Sequence, residues 1–203
     1  MYTLYWSPGS ASMAPHVLLE ELGVPYELSR VELGKPRGPA YLKLNPWARV
    51  PTLVSGGDPI YESAAICMHL ADCHSGKGLA PALGAPERAH YYQWLLFLSD
   101  TLQPAFMRLY GTARICPDPS HHDAIKGKAR QDIAEIWSTL DRLLTGKTWL
   151  VGERFSAADV YFHMLCTWDE DLAALKRRHH NLAEIFNRIH ERPAVARIAD
   201  LNM

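Results

Sequence analysis

The residues whose types and spacing are most able to do chemistry lie between Arg49 and Ser63. Pro51 stands in a short apolar run that predicts a strand, and Glu62 and Ser63 precede an apolar-periodic segment that predicts a helix. If the bond before Pro51 is cis, the peptide group of Val50 is left unpaired, and an extended peptide could add there as a further strand. The Ser63 hydroxyl and the first helical amides could receive a carboxylate, and Glu62 could hold an ammonium group. The pattern predicts a site for a small peptide with a free amino-acid end.

Each of these features also has a purely structural interpretation. A proline at the first position of a strand is typical of a plain hairpin, and a hydroxyl residue before an apolar-periodic segment is typical of an N-capped helix. Their occurrence together, in this order and at this spacing, favours the binding interpretation.

The elements that must position this site are predicted by the periodicity of the first 74 residues. A strand over residues 2–6, a helix that ends at Gly23 and a second strand over residues 26–31 predict a right-handed parallel unit. A short helical turn before Asn45, a hairpin and a helix to about residue 72 complete the order βαβαββα. This is the thioredoxin-like arrangement.

The remainder of the chain predicts helices only. One long amphipathic helix is predicted over residues 86–115, with a kink at Pro104, because proline removes one helical hydrogen bond. A second long helix is predicted to end near Leu144, where Gly146 follows, and two short helices close the chain.

A capping box, formed by Ser156 and Asp159, predicts the start of a buried helix. Asp159 is therefore interpreted as a folding residue and not as a catalytic one. The predicted fold class is an α/β N-terminal thioredoxin-like domain over residues 1–74 and an all-α C-terminal domain over residues 85–203. The linker over residues 75–84 is rich in glycine and proline.

Composition limits the class of protein and its partners. The 203 residues carry a net charge of −1, with 48% hydrophobic and 21% charged residues, which is typical of a globular protein with a buried core. The absence of a basic run argues against nucleic acid and anionic membranes as partners. The four cysteines show no Cys-x-x-Cys spacing, which predicts reduced thiols in a cytoplasmic protein. The ten histidines lack the helical spacing of a zinc site, so no metal is predicted.

The motifs together resemble one family over the whole chain. Val-Pro-x-Leu at residues 50–53, followed by Glu-Ser at residues 62–63, is similar to the glutathione-binding half of the cytosolic glutathione transferases. Residues 150–159 and the closing segment at residues 192–195 are typical of the helical half of that family.

The resemblance implies roles for the motif residues. Val50 and Pro51 would present backbone to the cysteinyl part of glutathione, and Glu62 and Ser63 would hold its γ-glutamyl end. Arg49 lies where relatives place a residue near the glycine carboxylate.

Other implications concern glycine binding and assembly. Lys35 is a weaker alternative to Arg49 for the glycine carboxylate. Glutathione is implied as a co-substrate and not as a prosthetic group, and a homodimer is implied, in which Asp100 could reach the glutathione amine of the partner.

Glutathione chemistry needs a thiolate, and about 3% of a free thiol is ionised at pH 7. Lowering the thiol pKa by about two units needs roughly 2.7 kcal/mol of differential stabilisation, which one hydroxyl donor near a helix N-terminus can supply. The turn before the first helix most resembles the bacterial beta class, yet the beta-class cysteine falls on Ala11 and the histidine on Gln103. A hydroxyl donor is therefore favoured: Ser12 first, Ser10 second and Tyr5 third, with backbone amides as the alternative.

The acceptor substrate is expected to lie between the two domains. Five apolar residues are predicted to wall this pocket, which would suit an apolar electrophile: Met13, Phe106, Met107, Tyr110 and Trp168. The implied activity is addition of glutathione to an electrophilic carbon. The alternatives are a glutathione-dependent disulfide reductase, peroxidase or isomerase on the same fold, and a non-catalytic binding module.

Overall fold

The computed structural model describes residues 1–202, and the first third of them forms a four-stranded sheet. Its spatial order is β2-β1-β3-β4, with β1 and β2 parallel and the other two pairs antiparallel. Parallel β1 and β2 are joined through a helix, as the predicted unit requires. The strands are β1 (Tyr2–Trp6), β2 (Tyr26–Arg30), β3 (Thr52–Val54) and β4 (Ile60–Tyr61).

Three helices pack around this sheet: α1 (Met13–Leu22), α2 (Pro39–Leu44) and α3 (Ser63–Cys73). Successive strand residues face opposite sides, so the ring of Trp6 lies 5.6 Å from His16 of α1 while the ring of Tyr5 lies 5.4 Å from Tyr41 of α2. The chain leaves α1 at Gly23, whose φ of 66° is left-handed and whose N–H donates to the Glu20 carbonyl. The βαβαββα order is confirmed.

The rest of the described chain is helical, which confirms the all-α half. Its helices are α4 (Glu87–Phe97), α5 (Gln103–Tyr110), α6 (Thr112–Ile115), α7 (His122–Leu143), α8 (Ala157–Cys166), α9 (Leu172–Arg178), α10 (His180–His190) and α11 (Pro193–Asn202). Across residues 1–202, no helix combines the length and apolar character needed to cross a membrane.

The long helix predicted over residues 86–115 is confirmed from Glu87 to Tyr110, where α4, a π-helical turn over Leu98–Leu102 and α5 follow one another without a gap. Its predicted end is wrong, because Gly111 separates α5 from α6. Proline cannot donate to the helical ladder, and the π-helical turn lies just before Pro104, where the sequence predicts a kink.

Helix α8 is buried along its whole length and begins at the predicted capping box. The Asp159 carboxylate accepts from the Ser156 amide at 2.8 Å and from the Leu150 amide, also at 2.8 Å. Burial raises the pKa of Asp159 to about 6, although these donors oppose the shift. Asp159 thus fixes the loop before α8, as its interpretation as a folding residue requires.

Specific polar contacts fasten the two halves to each other. The Ala157 amide at the start of α8 donates to the Leu79 carbonyl at 2.8 Å. Arg192, before α11, makes two hydrogen bonds of 2.7 Å to Glu21 of α1. The first contact ties the start of α8 to the linker, and the second holds the start of α11 against α1.

Candidate functional site

An open backbone edge lies just before β3. The Val50–Pro51 bond is cis, and the ladder of β3 to its neighbours begins only at Thr52. Over residues 1–202, neither the N–H nor the carbonyl of Val50 has a hydrogen-bond partner. The peptide group of Val50 can therefore pair with an extended peptide, as the sequence predicts.

A buried side-chain network holds this edge in place. Asn45, only 2% exposed, donates from Nδ2 to the Arg49 carbonyl at 2.9 Å and to Thr52 Oγ1 at 3.0 Å. The Tyr41 hydroxyl donates to the same Arg49 carbonyl at 2.5 Å and lies 2.9 Å from Thr52 Oγ1. Arg49 and Thr52 flank Val50 and Pro51, so the network fixes the open peptide group from both sides.

The second half of the site is the first turn of α3. Glu62 has a φ of 72°, in the left-handed region that a non-glycine residue adopts only at a cost of about 1–3 kcal/mol. The first helical bond runs from the Ile66 amide to the Glu62 carbonyl, and the amides of residues 63–65 have no acceptor within the described chain. Three unpaired N–H groups and the helix dipole can together receive a carboxylate.

The Ser63 hydroxyl, at the start of α3, makes a hydrogen bond that the sequence does not predict. Its hydroxyl, in a residue that is 4% exposed, donates to the Ala11 carbonyl at 2.5 Å. A hydroxyl has one proton, so the amides of the turn, and not this hydroxyl, are the donors ready for a carboxylate. The bond ties the start of α3 to the turn before α1.

The turn before α1 contains three serines in one hydrogen-bonded cluster. The hydroxyls of Ser10 and Ser12 approach the Ser7 carbonyl at 2.7 Å and 3.0 Å and lie 2.7 Å from each other. The Ser7 amide in turn donates to Ser12 Oγ at 3.2 Å. Ser12 is fully buried and Ser10 is 8% exposed, so Ser10 is the outer member of the pair.

Tyr5, the third predicted donor, lies on the α2 side of the sheet. Its ring packs on Tyr41 and lines a cavity of about 390 Å³ whose wall also includes Lys35 and Arg37. The structure does not place Tyr5 in the serine cluster, and its catalytic assignment stays a prediction.

The two predicted partners of the glycine carboxylate are both exposed. The Arg49 side chain makes no hydrogen bond or ion pair with any of residues 1–202, whereas its carbonyl accepts from Tyr41 and Asn45. Lys35 is paired with Glu32 at the surface. Their assignment to glutathione stays a prediction.

Most of the predicted acceptor wall forms a connected aromatic cluster. The Phe106 ring stacks on Tyr110 at 6.2 Å and meets Trp168 edge-on at 6.0 Å, and the Tyr110 hydroxyl donates to the Trp168 carbonyl at 2.5 Å. Met13 of α1 joins through the Thr167 hydroxyl, 3.9 Å from its Sδ.

The five residues of the predicted acceptor wall differ in their access to a ligand. Phe106 and Met13 are buried, whereas Tyr110 is 56% exposed and Trp168 and Met107 are half-buried. A substrate can contact only the latter three directly. The cavity of about 390 Å³ lies on the α2 side and not at this cluster.

Sequence reasoning missed two kinds of site residue. The helical turn predicted before Asn45 gives neither Asn45 nor Tyr41 a role at the site, although an Asn followed by a proline is typical of a side chain that bonds local backbone. Gln103 accepts from the Tyr161 hydroxyl at 2.5 Å, a contact between α5 and α8 for which the sequence carries no local signal. Among residues 1–202, no three metal-ligating side chains come together.

A thioredoxin-like half with an open peptide edge and three unpaired amides at a helix start, attached to a helical half, is an arrangement suited to a small acidic peptide. Family models agree with this description: that of the glutathione S-transferase N-terminal domain matches residues 10–73, and that of the C-terminal domain matches residues 114–197. The chain therefore belongs to the glutathione S-transferase family, and it is an enzyme of the transferase class.

Individual relatives support the same assignment. The chain is 31% identical over 165 residues to glutathione S-transferase GST-4.5 of Xanthomonas campestris, covering 81% of each chain. It is 27% identical to glutathione S-transferase GstA of Escherichia coli O157:H7, covering 95% of this chain and 94% of that protein. It superposes on a sphingomonad glutathione S-transferase complexed with glutathione with a TM-score of 0.87 and 30% identity, covering 98% of both chains.

Proposed function

We propose that this glutathione transferase binds glutathione between the Val50 edge and the first turn of α3, ionises its thiol beside the serine cluster, and adds the thiolate to an electrophilic carbon of an apolar substrate. The observation that carries the proposal is the open peptide group of Val50 in the same half as three unpaired amides at residues 63–65. The α-carboxylate of the γ-glutamyl group binds those amides, and the Glu62 carboxylate pairs with its ammonium group.

The cysteinyl part of glutathione adds to the Val50 peptide as a short strand. Pro51 presents that peptide, and the glycine carboxylate extends toward Arg49, with Lys35 as the alternative. This arrangement directs the thiol toward the turn before α1, because Ser63 ties that turn to α3 through Ala11.

The serine cluster supplies the proton donor for the thiolate. The hydroxyls of Ser10 and Ser12 share the Ser7 carbonyl, so one hydroxyl proton can turn to a sulfur atom while the other keeps the carbonyl paired. Ser12, the donor favoured from the sequence, is fully buried, whereas Ser10 is nearer the surface, so Ser10 is proposed as the donor and Ser12 as its support. The unpaired N–H of Ala11 is a further donor in the same turn.

The acceptor substrate is apolar because the wall that faces it is aromatic. Tyr110 and Trp168 offer exposed ring surface above the buried Phe106, and such a surface favours an aryl or alkyl electrophile over a charged one. Conjugation of such compounds is a detoxification reaction, and it needs glutathione as a co-substrate and no metal.

The protein is proposed to act as a homodimer in the cytoplasm, with the domains over residues 1–74 and 85–203 joined by the linker at 75–84. Support for the dimer comes from α4, where Tyr92 and Leu96 are one helical turn apart and are 37% and 50% exposed. A second copy of the chain can cover these two apolar side chains.

The test is glutathione binding and turnover in matched variants. Glu62→Ala is expected to abolish retention on immobilised glutathione, because loss of this charged partner weakens the dissociation constant about 10- to 100-fold. Ser63→Ala is also expected to abolish retention, because it breaks the bond to the Ala11 carbonyl that holds the first turn of α3 beside the serine turn. Glu27→Ala, at an exposed position of β2, is the control and is expected to bind normally. Unchanged retention in both site variants would refute the placement.

Turnover distinguishes the reactions possible on this fold. Conjugation of glutathione to an aryl halide is expected to exceed reduction of a hydroxyethyl–glutathione disulfide, because Ala11 stands where a reactive cysteine would be required. Activity only in the disulfide assay would contradict transfer to carbon, and binding without either activity would indicate a non-catalytic module.

A further inference from the structure

A cavity of about 560 Å³ lies between α9 and α10, away from the site described above. It is lined by residues spaced one helical turn apart, two such pairs in α9 and one in α10: Leu172 and Lys176, Ala173 and Arg177, and Ala183 and Asn187. No residue of the predicted acceptor wall or of the proposed glutathione site contributes to this lining. The volume falls in the range of about 300–1,000 Å³ that is typical of small-molecule sites.

Two cationic side chains reach this cavity without a carboxylate partner. Lys176 and Arg177 lie in the last turn of α9, and neither side chain forms an ion pair or a hydrogen bond with another of residues 1–202. The Lys176 Nζ atom lies 5.0 Å from the centroid of the Phe186 ring, and this contact holds the ammonium group against α10. The cavity therefore carries a local positive charge that no residue of its lining neutralises.

The acidic side chains of α9 and α10 are engaged elsewhere. Asp171 caps the start of α9, where its carboxylate accepts from the Ala174 amide at 2.8 Å. Glu184 of α10 pairs with His180. Neither carboxylate lines the cavity. An anion that enters the cavity thus meets two cations and the Asn187 amide, and it meets no acidic group of the lining.

Cations in the last turn of a helix also have a simple structural explanation, because they complement the negative end of the helix dipole. Arg178 lies in the same turn, is exposed, and can serve that purpose without lining the cavity. Lys176 and Arg177 differ from it because apolar residues, Leu172 and Ala173, lie one turn before them on the wall of the cavity. The dipole accounts for the charge of the turn and not for the apolar half of the lining.

We propose that the cavity between α9 and α10 binds a small amphiphilic carboxylate, that is, a carboxylate group on a hydrocarbon body. The carboxylate pairs with Lys176 and Arg177, and the hydrocarbon body covers the apolar half of the lining. A compact anion such as phosphate would leave that apolar half uncovered, and a neutral hydrocarbon would leave both cations unpaired. The site is separate from the proposed glutathione site and needs neither glutathione nor the acceptor substrate.

The experiment measures binding of decanoate to the full chain by calorimetry, at low ionic strength and below the concentration at which decanoate forms micelles. Decanoate is expected to bind at least about fivefold more tightly than decanol, which lacks the charge, and than acetate, which lacks the chain. Lys176→Gln and Arg177→Gln are each expected to raise the decanoate dissociation constant about three- to tenfold. Arg178→Gln removes the same charge from the same turn outside the cavity, and a change of less than about twofold is expected.

Ala173→Glu tests the wall itself. Ala173 is exposed, so the helix can accept a larger side chain there. A carboxylate at this position lies one turn before Arg177, where it can pair with the guanidinium group and repel an anionic ligand. This variant is expected to raise the decanoate dissociation constant at least about tenfold.

Three results would overturn the proposal. The first is no binding of decanoate to the parent protein up to about 1 mM. The second is an equal loss of affinity in Lys176→Gln, Arg177→Gln and Arg178→Gln, which would indicate attraction to the general surface charge. The third is competition between decanoate and the aryl halide in the conjugation assay, with an affinity that Lys176→Gln leaves unchanged, which would place decanoate at the acceptor wall. Glutathione affinity is expected to change less than about twofold in all four variants, so these results do not depend on the proposed glutathione site.

Discussion

Replacing Asn45 with alanine removes the side chain whose hydrogen bonds hold the open peptide group of Val50 in place. The amide of Asn45 makes three hydrogen bonds: Nδ2 donates to the Arg49 carbonyl at 2.9 Å and to Thr52 Oγ1 at 3.0 Å, and Oδ1 accepts from the Trp47 amide at 3.0 Å. At about 0.5–1.5 kcal/mol for each bond, we expect the free energy of unfolding to fall by about 3 kcal/mol.

The same substitution is expected to weaken glutathione binding. Without Asn45, only Tyr41 still bonds the Arg49 carbonyl, and the Val50 peptide is no longer held in one orientation. Loss of one of the two hydrogen bonds between the Val50 peptide group and the ligand is expected to raise the dissociation constant for glutathione about two- to tenfold.

Denaturant unfolding and calorimetry measure the two effects separately. Asn187→Ala, at an exposed position in α10, is the control and is expected to stay within about 0.5 kcal/mol of the parent protein. A stability loss under about 1 kcal/mol in Asn45→Ala, together with unchanged glutathione affinity, would show that the network does not hold the edge.

Two further predictions concern titratable groups. Ultraviolet titration of bound glutathione is expected to show a thiol pKa raised by about one unit or more in Ser10→Ala, with a smaller rise in Ser12→Ala; if neither moves, the backbone amides of the turn supply the activation. Burial lowers the pKa of His16 to about 4, although Glu20 opposes the shift. Its neutral form therefore stabilises the fold above pH 6.5, and this contribution is lost as the pH falls from 6.5 toward 4, reaching roughly 2 kcal/mol at pH 5. The free energy of unfolding is measured at pH 7 and at pH 5 for the parent protein and for His16→Gln. Its decrease between the two pH values is expected to be smaller by roughly 2 kcal/mol in the variant. An equal decrease in both proteins would contradict the assignment.

Local signals made most of the fold predictable. Gly23 and Pro25 mark the end of α1, the glycine turn marks the hairpin, and Ser156 with Asp159 marks the start of α8, because each depends on a few adjacent residues. The short helix α9 was missed, since its seven residues are too few to establish an apolar period.

The site could be predicted in outline but not in its connections. The Val50 edge and the start of α3 follow from local sequence, whereas the bond from Ser63 to Ala11 joins residues 52 positions apart. Such a contact depends on how α1 and α3 pack, which no local pattern encodes. The sequence indicates each serine before α1 as a separate candidate. Only the structure shows that the hydroxyls of Ser10 and Ser12 both donate to the Ser7 carbonyl.

A crystal structure of the protein with glutathione tests the central claim most directly. We expect the cysteinyl N–H and carbonyl to lie about 3 Å from the carbonyl and N–H of Val50, and the γ-glutamyl carboxylate to accept from the amides of residues 63–65. A tripeptide bound elsewhere, or one that leaves the Val50 peptide unpaired, would contradict the account.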